Sequence, residues 1–309
     1  MGVRNMPPRR NHRNGPRSAA AALIAVDARD AAIPPEALAA AHERARRQWK
    51  RRRGVVEIHW GLKRVGGRTT PRRALVVTVE QKLPREQLGL RRPFPHELAV
   101  PWGGRTYYVP VDVDELDQAE KHADVRPGKG SRVRAHLRGT LSAVIVRGNT
   151  ADVYLSGHVA GSAGAKVWAS SQNNPECFLG RVAANRFRNN EEVDCAVVEG
   201  VALAVAKRLS KQPTAVRPLT MDDIGIPIRV GATSSHWSAV HDINAPAQFG
   251  AGGLMIGLIR LEHRVSERGD SGAPAFDAGG QLVGFVVGAS THNRRSHTYL
   301  LTATRGLNV

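Results

Sequence analysis

Cysteine is nearly absent from this 309-residue chain: Cys177 and Cys195 are the whole supply. Two thiols exclude a disulfide scaffold, and Cys195, behind Asp194 in an apolar run, reads as a buried free thiol. Long apolar runs are missing as well, so no segment has the roughly 20 residues of a membrane-spanning helix. Residues 19–26, Ala-Ala-Ala-Ala-Leu-Ile-Ala-Val, follow an Arg- and Pro-containing segment and superficially resemble a secretory leader. The stretch is short and closed by Asp27, Arg29 and Asp30, so the expected compartment is the cytoplasm, with export by an atypical N-terminal signal as the alternative. Metal and nucleotide motifs also fail. The acidic run Asp112, Asp114, Glu115, Asp117 lacks the glycine and distal glutamate of an EF-hand. His236/His241 and His292/His297 are each five apart, which puts neither pair on one face as zinc ligands. Gly161-Ser162-Ala163-Gly164-Ala165-Lys166 lacks the spacing and hydroxyl of a phosphate loop. No cofactor and no metal are expected.

Acidic residues are scarce relative to basic ones, 27 against 45, for a net charge of +18. The excess is uneven. Residues 1–53 carry 13 basic and 4 acidic side chains, net +9, whereas residues 54–125 carry 11 and 10, net +1. A basic arm of this kind points to a polyanion or nucleic-acid contact through residues 1–53, with a solubilising tail as the plain alternative. Its first 34 residues hold Pro7-Pro8-Arg9-Arg10 and Asn14-Gly15-Pro16 and are expected to lack fixed structure. From Pro35 to about Arg53 the composition predicts a basic, mostly solvated helix, with Pro35 in its first turn and Glu36 at the positive end of its dipole.

Residues 54–125 read as a small α+β unit. Strands are expected over 54–60, 74–79 and 107–111, with Gly66-Gly67-Arg68-Thr69 between the first two. From residue 126 to 309 the pattern changes to short apolar strands punctuated by Gly, Asn and Pro, at 140–146, 153–155, 193–198, 226–230, 254–261, 282–287 and 298–301. Frequent short strands without long helices predict a barrel or sandwich, and the length suffices for two small barrels.

Within that β-rich region lies Arg268-Gly269-Asp270-Ser271-Gly272-Ala273-Pro274. Alone, Gly-Asp-Ser-Gly is good turn chemistry. Upstream, however, are Leu155-Ser156-Gly157-His158-Val159 and Val193-Asp194-Cys195-Ala196. A hydroxyl becomes a nucleophile when a base takes its proton and a third group orients that base. Ser271 is therefore the candidate nucleophile, His158 the base and Asp194 the orienting carboxylate. An acid in so apolar a run is costly to bury unless paired, whereas the competitors Asp222, Asp223 and Asp242 lie in segments that read as turns. Gly269 and Gly272 open the backbone so that the amides of Gly269 and Ser271 can converge on an oxyanion. Asp270 is expected to turn inward and brace that loop against a buried cation or an amide.

These residues resemble the trypsin/chymotrypsin-like serine peptidases, and most of all the bacterial serine peptidases similar to plant NARROW LEAF 1. Gly66-Gly67-Arg68-Thr69, Lys82-Leu83-Pro84, Gly139-Thr140-Leu141, Gly231-Ala232-Thr233-Ser234 and Thr298-Tyr299-Leu300 fit that subgroup in order. The resemblance implies a mainly β fold: a trypsin-like double β-barrel over 126–309, preceded by a small α+β domain (54–125) and a basic, partly helical arm (1–53). It implies a serine endopeptidase acting on polypeptides through an acyl-enzyme. Val265, six before the nucleophile, and Gly288-Ala289-Ser290 correspond to the primary pocket, which implies cleavage after small or medium apolar residues. Three positions depart from the pattern. Val159 stands where secreted enzymes often have cysteine, and Gly157 where many relatives have Asn. The serine usual near Val287 is missing, which leaves the second oxygen of Asp194 without an evident partner. A catalytically weak barrel serving as a protein- or polyanion-binding module is the alternative.

Overall fold

The computed structural model describes residues 18–88, 92–121, 132–135, 137–171, 174–187, 193–209, 215–231, 236–250, 253–290 and 296–307. The first 17 residues of the basic arm lie outside the described residues. Two short helices, α1 (Ala19–Ala22) and α2 (Ala28–Ala31), begin the described chain, capped by the side chains of Ser18 and Asp27. This segment is tied down rather than free: Ile24 N–H donates to Gly225 O, and Asp30 accepts from the Arg73 amide and the Arg72 guanidinium.

Helix α3 (Pro35–Trp49) follows, with proline in its first turn as the sequence predicts. Its surroundings correct the expectation of a mostly solvated helix. Ala37, Leu38, Ala41, Ala45 and Trp49 recur at helical spacing and are buried. The alanines permit close approach; Arg46 and Arg47 are exposed, while Arg44 donates to Ala99 O on β3. This face packs on strands β1 (Val55–Val65), β2 (Arg68–Val79), β3 (Glu97–Trp102) and β4 (Arg105–Glu115) in one apolar cluster. The β1–β2 turn uses Gly66 (φ 57°) and Gly67 (φ 83°), where a side chain would be strained. Strand β2 pairs antiparallel with β1 and parallel with β4, and β4 pairs antiparallel with β3.

Strand β5 (Ala119–Lys121) leads out of this unit. Two four-stranded sheets come next. One has the order β11–β10–β6–β7 and the other β12–β13–β9–β8. They comprise β6 (Arg132–Arg134), β7 (Arg138–Thr140), β8 (Ala143–Arg147), β9 (Thr150–Leu155), β10 (Lys166–Ser171), β11 (Asn174–Arg181), β12 (Ala184–Asn185) and β13 (Ala196–Ala202). Helix α4 (Gly157–Ala160) interrupts them and α5 (Leu203–Leu209) closes them. One core, including Val133, Val144, Val153, Val167 and Val198, fills the space between the two sheets.

The second barrel is a closed ring. Strands β14 (Pro227–Val230), β15 (Trp237–Gln248), β16 (Leu254–Leu261), β17 (Pro274–Phe276), β18 (Leu282–Ser290) and β19 (Thr298–Thr302) pair in the order β14–β17–β18–β19–β16–β15, and β15 returns to β14. Helix α6 (Ala303–Leu307) packs on β18. The fold is thus mainly β and a double barrel, as expected. Most expected strands are present, among them 254–261 to the residue; β3, β5, β6, β10, β11, β12, β15 and β17 went unforeseen. The sheet of the second barrel continues through β15 into β1, by the pairs Trp60↔Ile243 and Gly61↔Asp242.

A buried polar cluster lies at this seam. Asp242, fully buried in β15 rather than in a turn, accepts from His241 Nδ1 at 2.8 Å and from Arg260 Nε. Arg260 also donates to Asp114 at 2.8 Å, as does Arg64 at 3.0 Å. Tyr299 donates to Asp117 at 2.5 Å. The expected solvated acidic turn is therefore partly an ion-pair anchor: Asp114 and Asp117 reach into the barrel.

Candidate active site

The three residues singled out in the sequence meet in one cleft. Ser156, in extended conformation, follows β9, and His158 sits on the single turn of α4 that begins after it. Asp194 lies two residues before β13, which pairs with β9 through Ala196↔Leu155. That pairing brings the acid beside the imidazole. His158 Nδ1 is 2.5 Å from Asp194 Oδ2, and His158 Nε2 is 2.9 Å from Ser271 Oγ. Ser271 comes from the second barrel, so the row crosses between the two.

Asp194 is buried, and its second oxygen is not orphaned. Oδ1 accepts the backbone N–H of His158 at 2.8 Å. This corrects the expectation drawn from the serine missing near Val287: an amide does the holding. Burial alone would raise the Asp194 pKa, but the adjacent His158, its hydrogen bonds and the Lys121 ammonium keep the carboxyl below its usual range. Cys195 is the buried free thiol expected; burial first, then the neighbouring Asp194 charge, pushes it up to about 12.

The loop of Ser271 is held from the first barrel. Thr140 N–H donates to Ser271 O at 2.8 Å and Thr140 Oγ1 to Gly269 O at 2.9 Å. Gly269 and Gly272 have φ of 95° and 90°, the region expected of them. A β-carbon on Gly272 would also lie 2.3 Å from Thr140 O. Asp270 accepts the amide of Glu267 at 2.8 Å, so of the two partners expected for it an amide is present; the residue is half-buried and its turn is local. Thr140 was noticed in the sequence only as part of a motif, without a role.

Phe187 went unnoticed altogether. Its ring stands edge-on to His158, with centroids 6.2 Å apart. Gly157 makes room for it, since a β-carbon there would lie 2.2 Å from Phe187 Cβ and 2.6 Å from Asn185 Oδ1. The departure from Asn at that position thus has a steric reason. Of the candidate pocket residues, Gly288 and Ala289 lie buried on β18, one and two residues past Val287, whose carbonyl is 3.4 Å from Ser271 Oγ. Val265 is half-buried and its N–H donates to Thr298 Oγ1 at 2.9 Å; Thr298 pairs with Ala289 across β18–β19. Among the described residues no cluster of His, Cys, Asp or Glu is arranged to hold a metal. No helix among them is long and apolar enough to cross a membrane.

No protein-family profile matches the sequence, and no curated protein matches it. Solved structures do. Alpha-lytic protease homolog N4 is similar over 60% of this chain and 96% of its own, at 21% identity and a TM-score of 0.43. Thermobifida fusca Protease A is similar over 59% and 94%, at 20% identity and 0.43. Nocardiopsis protease is similar over 60% and 96%, at 21% identity and 0.43. Likeness this distant leaves the class to be defined by the strand order and the site themselves: a double β-barrel whose cleft aligns a carboxylate, an imidazole and a hydroxyl in one hydrogen-bonded row.

Proposed function

We propose that the protein is a serine endopeptidase. The observation that carries this reading is the single imidazole, His158, bridging Asp194 and Ser271 at 2.5 and 2.9 Å. In this mechanism His158 Nε2 takes the Ser271 proton as Oγ attacks the scissile carbonyl. It then gives that proton to the leaving amine, and water repeats the cycle on the acyl-enzyme. Asp194 fixes the imidazole with Nδ1 protonated and stabilises the transient imidazolium. The amides of Gly269 and Ser271 receive the oxyanion; losing one such donor typically costs about 3 kcal/mol of transition-state stabilisation.

Val265, Gly288 and Ala289 are proposed to line the pocket for the residue before the scissile bond. Without a carboxylate among them a Lys or Arg side chain there would be buried unpaired, so small or medium apolar residues are preferred. We place the protein with the bacterial peptidases similar to plant NARROW LEAF 1, on the motifs at 66–69, 82–84 and 139–141. In this reading 126–309 is the peptidase domain and 54–125 a small domain ahead of it. Two free cysteines, one buried, support a cytoplasmic home. The basic residues at 1–53 supply a polyanion contact.

The test is labelling with a small alkyl fluorophosphonate, beside a Ser271→Ala control. Covalent modification of the native chain and none of the control is expected. Equal absence in both would leave a barrel that binds without cleaving.

A further inference from the structure

Strand β5 is three residues long and lies in the cleft. Ala119, Glu120 and Lys121 pair antiparallel with Ser290, Ala289 and Gly288 on the edge of β18. The register decides what this means. Lys121 is opposite Gly288, so the following residue of a strand lying here falls opposite Val287, whose carbonyl is 3.4 Å from Ser271 Oγ. An extended peptide in this groove therefore delivers its next carbonyl to the hydroxyl. Adding a strand to an exposed sheet edge is a common way of binding an extended peptide, with main-chain bonds giving affinity and side-chain pockets selecting the sequence.

The side chains of β5 indicate which sequence. Lys121 Nζ lies 3.6 Å from the centroid of the Phe187 ring, which itself faces His158. The ammonium is drawn toward the buried Asp194 as well. A cation over an aromatic face is attracted by the ring's negative π-face, more strongly as water is excluded. Glu120 makes an exposed ion pair with Arg268 of the nucleophile loop at 3.1 Å. Gly288 is required for the fit, because a β-carbon there would lie 2.0 Å from Glu120 O.

β5 is held unevenly. Upstream, Asp117 is fixed by Tyr299 at 2.5 Å, and its carbonyl accepts the Gln248 amide at 3.0 Å. In the cleft itself the hold is weak. An exposed ion pair contributes little, and Lys121 Nζ is buried with no hydrogen-bond acceptor among the described residues. The rest of the hold is strand pairing and the cation–π contact, and an external strand carrying a basic residue reproduces both on the same edge and can replace β5.

Resting on the peptidase reading, we propose that the Phe187 ring forms a subsite for a Lys or Arg side chain one residue upstream of the acyl residue, and that the chain's own Ala119–Lys121 occupies that subsite and the β18 edge until a substrate displaces it. The substrate class is a polypeptide with a basic residue followed by a small apolar one. In the free protein only the fraction with β5 displaced is competent, which lowers apparent affinity for peptides by that fraction.

Two probes separate this inference from the reading beneath it. A small alkyl fluorophosphonate needs Ser271 alone, whereas a tetrapeptide diphenyl phosphonate ending in Lys-Val needs the β18 edge. The Glu120→Arg/Lys121→Glu double variant is expected to show a rate with the Lys-Val phosphonate, taken relative to its own fluorophosphonate rate, about tenfold above that of the native chain. In the variant the Lys-Val probe is expected to exceed the Glu-Val probe by about tenfold. Lys121→Gln, a milder change that keeps the length of the side chain, is expected to shift the peptide rate in the same direction. Fluorophosphonate labelling of Ser271 with peptide-probe rates indifferent to these substitutions, or with no preference for Lys, overturns the inference and leaves the peptidase reading intact. Absence of fluorophosphonate labelling removes both.

Discussion

A β-carbon at residue 157 would sit 2.2 Å from the β-carbon of Phe187, inside van der Waals contact, and 3.2 Å from Asp194 Oδ1. Neither neighbour is a flexible chain end. Phe187 is fixed by Asn185 Oδ1 at its own amide, and Asp194 by two bonds to His158. Gly157→Ala is therefore expected to push the acid and imidazole out of line by a fraction of an ångström to an ångström. Displacements of that size cost on the order of 100-fold in rate. The expected outcome is a fluorophosphonate labelling rate reduced by about 100-fold with a thermal midpoint close to native; full labelling would show that the cleft yields. Gly157 was readable in the sequence only as a departure from relatives. Its reason lies in Phe187, which is 30 positions downstream and carries no motif. The residues of the hydrogen-bonded row were themselves legible because their signals are local: glycines around a serine, and an acid in an apolar run. Thr140 was not, since its hydroxyl bonds a carbonyl 129 residues away.

Elements were legible where apolar alternation marked them and hidden where burial is polar. Strand β15 is 12 residues long and almost wholly buried, yet it contains Ser238, His241, Asp242 and Asn244. Asn244 is exposed, Ser238 accepts the His263 amide, and Asp242 accepts from His241 and from Arg260 of β16, so no apolar pattern announces the strand. Helix α3 misled in the opposite sense. Seven basic residues over 44–53 read as a solvated surface, while Ala37, Ala41 and Ala45 form a packed stripe ending in Trp49. Trp49 is 3% exposed and meets Phe94 edge-on at 5.4 Å. Trp49→Ala removes that contact and leaves a cavity at the end of the helix, which costs about 3–5 kcal/mol. Urea unfolding is expected to show that loss at its midpoint with little change in slope. A loss below about 0.5 kcal/mol, the range of surface substitutions, would mean that the helix is docked by its charges instead.

At the scale of the whole molecule, the seam between the N-terminal sheet and the second barrel is polar, and that makes its strength depend on pH. His297 is 2% exposed; Arg64 donates to its Nε2 at 2.7 Å while its Nδ1–H donates to Leu261 O at 2.9 Å. Both ring nitrogens are thus committed in the neutral form, and a second proton would face a guanidinium. Burial first, then Arg260 and Arg64, holds the His297 pKa well below its ordinary 6.5. His59, equally buried, is lowered chiefly by burial, with Asp242 opposing and Arg260 assisting. In the unfolded chain both histidines take up a proton near 6.5 and in the folded chain they do not. Their contribution is therefore complete above that pH and is lost as pH falls below it, each by up to about 1.4 kcal/mol per unit. The buried carboxylates Asp242 and Asp114, whose pKa values the surrounding arginines hold below 3.8, add their own loss only at more acid pH. Thermal midpoints are accordingly expected to be level above pH 6.5 and to fall below it, before Asp242 and Asp114 add their loss. His297→Gln, which keeps a neutral polar group beside Arg64, is expected to flatten that slope. A native profile level down to pH 5, or a slope that survives His297→Gln and His59→Gln together, would show that the seam does not set the acid limit of the fold.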